Sequence, residues 1–376
     1  MSTDGRPHHL RGLDSLRAVA FSFVLLDHFL PGEQAWKPWI NGHVGVHLFF
    51  VISGLLITGI LLDARTALEQ TCGRGAGVVG RFYARRVLRI FPVFYATLAL
   101  TYLAGFPIVR QSIWWHVTYA SNIYFFKRGA FAGQVSHFWS LAVEEQFYLF
   151  WPFVILFTPR RHLGRVMTFC IVFSSAFRIA GQLIWNWNDV QREMLTFSCL
   201  DSLAIGGLFA WWQRSAPEHA ERLAGLLFRV VLPVWIVTTA ISAYGLPSIE
   251  WVFRPLDALA LGGVVFAVAA GRFKFVLHRQ VLVYLGRISY GMYVFHLFVA
   301  LCVRTVLRVV FHVEHLPNAL LVTLYTAVTI AAAAVSWHFF EAPLNSLKRF
   351  FPYVRDERIF AADSMQTAGA ATIAEE

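Results

Sequence analysis

Charge is what this sequence has least of: Lys, Arg, Asp and Glu together make up 14% of its 376 residues, against the roughly 25% usual in soluble domains. With 57% of the residues apolar, the chain has too little polar surface to cover a water-exposed globule, which excludes a soluble enzyme carrying a membrane anchor. Cysteine is also sparse. Cys72, Cys170, Cys199 and Cys302 show neither metal-site spacing nor the pattern of a disulfide framework; they are assigned no role, and no metal set is expected. A cleaved leader is not expected either. The apolar run that follows Arg6 and Arg11 contains Arg17, Asp27 and His28 and lacks a small-x-small site, so it reads as a retained first span. No repeat signals the inverted halves of a transporter. A formal charge of +10 could suggest nucleic acid, but membrane-length apolar runs separate the basic residues. No nucleic-acid partner is expected.

What the sequence does contain is a succession of apolar stretches near the length of about 20 residues that crosses a hydrocarbon layer. The expected fold class is therefore all-α, a polytopic transmembrane helical bundle of about ten spans. These are Leu13–Leu30, Val44–Leu62, Phe91–Pro107, His137–Phe157, Val166–Trp187, Leu195–Trp212, Leu223–Ala243, Val252–Ala270, Val281–Val303 and Ala319–Phe339. An even number of spans puts both termini on one side. The loops on that side hold Arg65, Arg81, Arg160, Arg161, Arg165, Arg272, Lys274 and Arg279 among many others, whereas the opposite loops hold fewer, such as Lys37, Arg110, Lys127, Arg128 and Arg192. The excess of Lys and Arg predicts cytoplasmic termini. Val78–Arg89, alternating arginine with Phe82, Tyr83, Val87 and Leu88, reads as a basic amphipathic helix on the cytoplasmic surface. Ile113–Phe126, aromatic with polar breaks, is expected near the outer surface. One membrane domain over residues 1–345 is followed by a cytoplasmic tail, 346–376, small and polar from Ala361 and expected to be disordered.

Ionisable groups inside a membrane helix cost several kcal/mol unless paired or hydrated, so each is a functional candidate. Arg17 and His28 lie eleven residues apart in the first span, which puts them on one helix face about 16 Å apart. Asp14, one turn before Arg17, can hold the guanidinium. Arg17 alone could be a snorkelling anchor and His28 alone an interface residue; the aligned pair favours a shared cleft. The fourth span opens His137-Phe-Trp139-Ser140-Leu-Ala-Val-Glu144-Glu145-Gln-Phe-Tyr148. Two adjacent carboxylates in an apolar stretch read as a cavity lining, with Tyr148 at i+4 from Glu144 and i+3 from Glu145; neutralising arginines of other spans is the alternative. Arg85, Arg86 and Arg89, at helical spacing before Pro92, offer guanidinium forks that match phosphate oxygens, or else anchor the topology. Ser53 and Gly54, small residues amid bulky ones, permit close helix approach. His296 has no evident partner and reads as a packing residue.

Taken in order, these strings resemble the membrane-bound acyltransferase 3 family. They are Leu13-Asp14-Ser-Leu-Arg17 with His28 beyond it, Gly45-Val-His-Leu-Phe-Phe-Val-Ile-Ser-Gly54, Arg85-Arg86-Val-Leu-Arg89-Ile-Phe-Pro92, Phe138-Trp-Ser-Leu-Ala-Val-Glu144-Glu145-Gln-Phe-Tyr148, Leu285-Gly-Arg-Ile-Ser-Tyr-Gly-Met-Tyr-Val-Phe-His296 and Phe339-Phe-Glu-Ala-Pro343. The resemblance spans residues 10 to 345 or so. It implies a multi-pass protein of the bacterial cytoplasmic (inner) membrane that O-acetylates or O-acylates a polysaccharide or another hydroxyl acceptor. The co-substrate implied is cytoplasmic acyl-coenzyme A, acetyl-CoA being expected, with no permanently bound cofactor. Some members carry an extra soluble domain after the membrane core; this sequence, running to Glu376, is expected to draw acceptor specificity from loops or a partner.

On this reading His28 removes the acceptor's proton while Glu144 or Glu145 orients its imidazole, since imidazole titrates near neutrality and a carboxylate fixes its tautomer. Arg85, Arg86 and Arg89 would hold coenzyme A phosphates, with Arg17 nearer the thioester, steadied by Asp14. Trp139, Ser140 and Tyr148 are taken as substrate-binding, and Ser140 or His28 could carry the acyl group transiently. The expected partners are acyl-CoA, a glycan or other hydroxyl acceptor, membrane lipids and, as a candidate, a second copy in a homodimer. The rival reading is a transporter or flippase of a lipid-linked sugar, which would also need a polar cavity but gives no reason for the arginine cluster.

Overall fold

A computed structural model describes residues 8–30, 36–71, 75–244 and 255–353. Among the described residues every regular element is helical. The helices are α1 (His8–Phe29), α2 (Gly42–Thr71), α3 (Gly75–Leu103), α4 (Pro107–Val117), α5 (Ser121–Arg128), α6 (Phe138–Phe157), α7 (Arg160–Trp185) and α8 (Asp189–Met194). They continue as α9 (Leu200–Ser215), α10 (Pro217–Leu226), α11 (Leu232–Tyr244), α12 (Pro255–Ala269), α13 (Lys274–Leu277), α14 (Gln280–Val309), α15 (Asn318–Ser336) and α16 (Ala342–Ser346). The tail from Ala361 lies outside the described residues, as does the start of the eighth expected span.

Seven helical stretches among the described residues are long and apolar enough to cross a membrane: Gly42–Gln70, Gly77–Leu103, Gly133–Phe157, Arg160–Trp185, Pro217–Tyr244, Gln280–Val309 and Asn318–Phe350. The remaining expected spans are helical too, but depart from that pattern for separate reasons. Helix α1 packs Arg11, Asp14, Arg17 and Asp27 into 22 residues. Helix α9 has 16 residues, about 24 Å at 1.5 Å each, and is buried from Asp201 to Ala210, walled off by its neighbours. Helix α12, the shorter apolar helix Pro255–Ala269, is likewise buried along most of its length.

The expected surface helix Val78–Arg89 is not a separate element. It forms the first half of α3, a single 29-residue helix that passes through Pro92 into the apolar stretch. Continuity keeps the backbone groups paired within the helix at depths where water is absent. The segment expected near the outer surface does form two short helices, α4 and α5. His116 clamps them, its Nδ1 2.7 Å from Ser121 Oγ and its Nε2 2.9 Å from Ser112 Oγ. Burial holds its pKa down to about 4, so the ring stays neutral near pH 7.

Helices α1, α2, α9, α12 and α14 make up the centre, with α2 running along α9 and α1 between α2 and α14. Outside them α7 and α15 turn Phe169, Val172, Leu183 and Val335 outward, an apolar exterior suited to lipid. Within α7 the buried Arg178 donates to Asp201 of α9 and to the Ser198 carbonyl.

The small residues do what their spacing suggests. A Cβ on Gly54 would fall 1.9 Å from the carbonyl oxygen of Leu203 in α9, and one on Gly206 2.1 Å from that of Val51 in α2, so the two backbones touch. Gly54→Ala must push α9 away from α2, and overpacking of this kind costs about 1–3 kcal/mol. Thermal unfolding of the purified protein in detergent should show a lower midpoint; an unchanged one would mean that the helices do not meet there.

Candidate active site

Three cavities lie in a row between α1, α2, α3, α6 and α14. Inner denotes the end of the bundle at which α1 begins. The innermost cavity, about 190 Å³, is lined by Asp14, Arg17, Ser53, Arg86, Arg89 and Tyr148 together with apolar residues. The middle one, about 70 Å³, shares Arg17, Ser53, Arg86, Arg89 and Tyr148, and adds Ser140, Glu144, Glu145, Tyr290 and Tyr293. The outer one, about 440 Å³, shares Val46 and Tyr293 with the middle cavity and is lined by Asp27, His28, His43, His137, Trp139 and Glu193. Shared lining residues set the three side by side, with Val46 and Tyr293 as the threshold between the inner two and the outer one.

Helical periodicity puts these side chains there. On α2, His43, Val46, Phe50 and Ser53 recur at three and four residues and so share one face. On α3, Arg86 and Arg89 recur likewise, and on α6, Ser140, Glu144 and Tyr148.

The inner half is a polar cluster in an apolar bundle. Ser53 Oγ donates to Glu144 Oε1 at 2.6 Å and accepts from the Tyr148 hydroxyl at 3.1 Å, so the expected Glu144–Tyr148 cluster forms around a serine of α2. Asp14 sits 3.6 Å from Arg17, as its position one turn away predicts. The Arg86 guanidinium lies 5.9 Å from the centre of the Tyr148 ring, within the range of a cation–π contact. Arg86 Nε and Glu145 Oε1 are buried with no hydrogen-bond partner. Buried polar atoms are normally paired, and both of these orphans belong to residues that line the middle cavity.

Arg85 departs from the expected cluster. Its Nη1 donates to the Lys348 carbonyl at 2.9 Å and the Phe351 carbonyl at 3.2 Å, and its guanidinium lies over the Tyr353 ring. One residue along a helix turns a side chain by about 100°, and that turn takes Arg85 out of the cavity and onto the C-terminal segment.

At the threshold, the Tyr293 hydroxyl and Ser140 Oγ are 2.5 Å apart, and the Tyr293 hydroxyl donates to the His137 carbonyl at 3.2 Å. Trp139 packs edge-on against Phe50 and faces the outer cavity.

His28 is not paired with Glu144 or Glu145. Its ring is open to the outer cavity, while the carboxylates lie beyond the threshold. Its Nδ1 is 3.0 Å from the Val24 carbonyl and 3.3 Å from Nε2 of His296. Nδ1 of His296 is in turn 2.7 Å from the Tyr293 carbonyl. A carbonyl only accepts, so in the neutral rings both Nδ1 atoms carry the proton. His28 Nδ1–H then faces the lone pair on His296 Nε2, and His28 Nε2 is left as a base. Backbone and histidine thus do the orienting expected of a carboxylate. His296 is therefore more than packing, and His137, whose ring meets that of His296 edge-on at 4.7 Å, completes a cluster of three histidines. Counting depth along the helices would have found both: His137 caps the outer end of α6, and His296 lies sixteen residues into α14, about 24 Å from its inner end.

A second outer-cavity group went unread in the sequence. His43 and His47, four residues apart on α2, converge with Glu193 of α8. The repeated histidine in His43-Val-Gly-Val-His47 was the available signal, since an i, i+4 pair shares a face.

The acyltransferase 3 family model, described as an acyltransferase domain, matches residues 10–338. Similar curated proteins include O-acetyltransferase OatA of Staphylococcus aureus strain NCTC 8325 / PS 47 and that of strain COL, each 24% identical over 366 residues. The alignments cover 90% of this chain and 58% of those proteins, so the chain spans less than two thirds of their length. No solved structure matches the chain.

Proposed function

The chain belongs to the acyltransferase 3 family, and on that premise we propose that it is an integral-membrane O-acyltransferase moving an acetyl group from cytoplasmic acyl-CoA to a hydroxyl of a glycan or small acceptor across the bacterial cytoplasmic membrane. The observation that carries this reading is the row of cavities, arginine-lined at its inner end and histidine-lined at its outer end, meeting at Tyr293. The relatives' name, O-acetyltransferase, supports acetyl as the group moved. Ten spans with both termini in the cytoplasm agree with the Lys and Arg excess on that side, and give the arginines access to a cytoplasmic donor.

Arg86 and Arg89 bind the donor's phosphates, and the slender thiol arm reaches through the middle cavity past Arg17 to the threshold. The acceptor enters the outer cavity. Its hydroxyl oxygen bonds to the acyl carbon while His28 Nε2 takes the hydroxyl proton; the tetrahedral intermediate then collapses, the carbon–sulfur bond breaks and coenzyme A leaves as thiolate. Tyr293 and Ser140, whose hydroxyls meet at the threshold, lie where the negative oxygen of the tetrahedral intermediate develops, and each can donate to it by turning its O–H from its resting partner. Glu144 and Glu145 balance the arginines once the donor has left.

Membranes containing the protein, incubated with acetyl-CoA labelled in the acetyl group and with candidate glycans, test this. Label in the glycan is the expected result. Unlabelled glycan crossing the bilayer without coenzyme A would favour a transporter instead.

A further inference from the structure

We propose that His43, His47 and Glu193 hold a divalent zinc ion at the wall of the outer cavity. Glu193 Oε2 stands 3.3 Å from His43 Nδ1 and 3.3 Å from His47 Nε2, and the ligand atoms of all three lie within 4.8 Å of one another. Zinc bonds of about 2.0–2.2 Å at tetrahedral angles separate neighbouring ligand atoms by about 3.3–3.5 Å, which both carboxylate edges match.

The surroundings prepare these nitrogens for a cation. His43 Nε2 lies 2.9 Å from Asp257 Oδ2, and the other oxygen of Asp257 accepts from Trp235 Nε1 at 2.6 Å. Asp257 is thereby held as a double acceptor, so the proton of His43 sits on Nε2, and Nδ1 turns a lone pair toward Glu193. His47 Nδ1 is anchored 2.7 Å from Ser202 Oγ, which lets its Nε2 present a second lone pair. In that tautomer two lone pairs and a carboxylate oxygen converge, an arrangement that a cation among them stabilises; with no ion there, His47 Nε2–H donates to Glu193 Oε2 instead. A carboxylate that accepts from the outer N–H of a ligand histidine, as Asp257 does from His43, is a usual second layer of a zinc site. Two imidazoles and one carboxylate suit zinc and leave one position of the tetrahedron open. His43 and Glu193 both line the cavity that also holds His28, so the open position faces the space where an oxygen ligand, water or a hydroxyl, would sit. The site stands on these residues alone and does not depend on the acyl-transfer reading.

Metal analysis of the purified protein tests it directly. The wild-type chain, stripped with chelator and dialysed against zinc, should retain about one zinc per chain and unfold at a higher temperature than the stripped form, because a ligand that binds only the folded state stabilises it. His47→Gln and Glu193→Gln should each lower the retained zinc at least tenfold while eluting as folded monodisperse protein in detergent. Wild-type protein that retains no stoichiometric zinc and shows no shift overturns the site, whatever the variants do. Undiminished zinc in both folded variants overturns it equally.

Discussion

His28→Ala is expected to lower the acetyl-transfer rate by about 10²–10⁴-fold, the usual contribution of a positioned general base. The change should leave the bundle intact. The ring faces the outer cavity, and its hydrogen bonds reach only the Val24 carbonyl of its own helix and the His296 ring, so its removal strands no carboxylate. Initial rates with purified protein in liposomes, alongside size-exclusion elution in detergent, separate a chemical defect from a folding one. Near-normal turnover would remove His28 from the chemistry. His296→Gln, which withdraws the imidazole lone pair facing His28 Nδ1, should lower kcat less than His28→Ala and leave the KM for acetyl-CoA unchanged, as befits a positioning residue on the far side of the threshold from the donor.

Arg86→Ala and Arg89→Ala should each raise the KM for acetyl-CoA by about 10- to 150-fold, the worth of one charge-assisted hydrogen bond of about 1.5–3 kcal/mol. Both line the two inner cavities, and Arg86 Nε is buried without a protein partner. Arg85→Ala should leave that KM within about twofold, because its guanidinium is engaged by the Lys348 and Phe351 carbonyls and the Tyr353 ring, a contact of surface-pair strength. Michaelis plots of the three variants decide the matter. Equal increases in all three would mean that bulk positive charge, not the cavity, holds the donor.

The helices were legible because membrane-length apolar runs and 3.6-residue spacing are local properties. So were the Asp14–Arg17 pair and the shared face of Glu144 and Tyr148, each set by spacing within one helix, though not Ser53 of α2, which links the latter two. The partner of His28 was not, because facing residues on different helices must agree in depth as well as in polarity. His28 is one residue from the outer end of α1, whereas Glu144 lies six residues into α6 from that same end, about 9 Å deeper. The side chain at the depth of His28 is His137, the residue that precedes α6. The basic run illustrates the same limit: Arg85, Arg86 and Arg89 look alike in sequence, and only the position of the C-terminal segment, far along the chain, tells which of them faces the cavity. Glu193 was unreadable for another reason. It sits on a six-residue helix between membrane stretches, and nothing local to it shows that the loop folds back onto His43 and His47.

The claim on which the account rests is that donor and acceptor meet at Tyr293 from opposite faces of the membrane. Liposomes containing the purified protein, with labelled acetyl-CoA enclosed and the acceptor glycan only outside, measure this directly. The account predicts acetylated glycan outside, formed without leakage of coenzyme A; product that appears only when donor and acceptor share a compartment would contradict it.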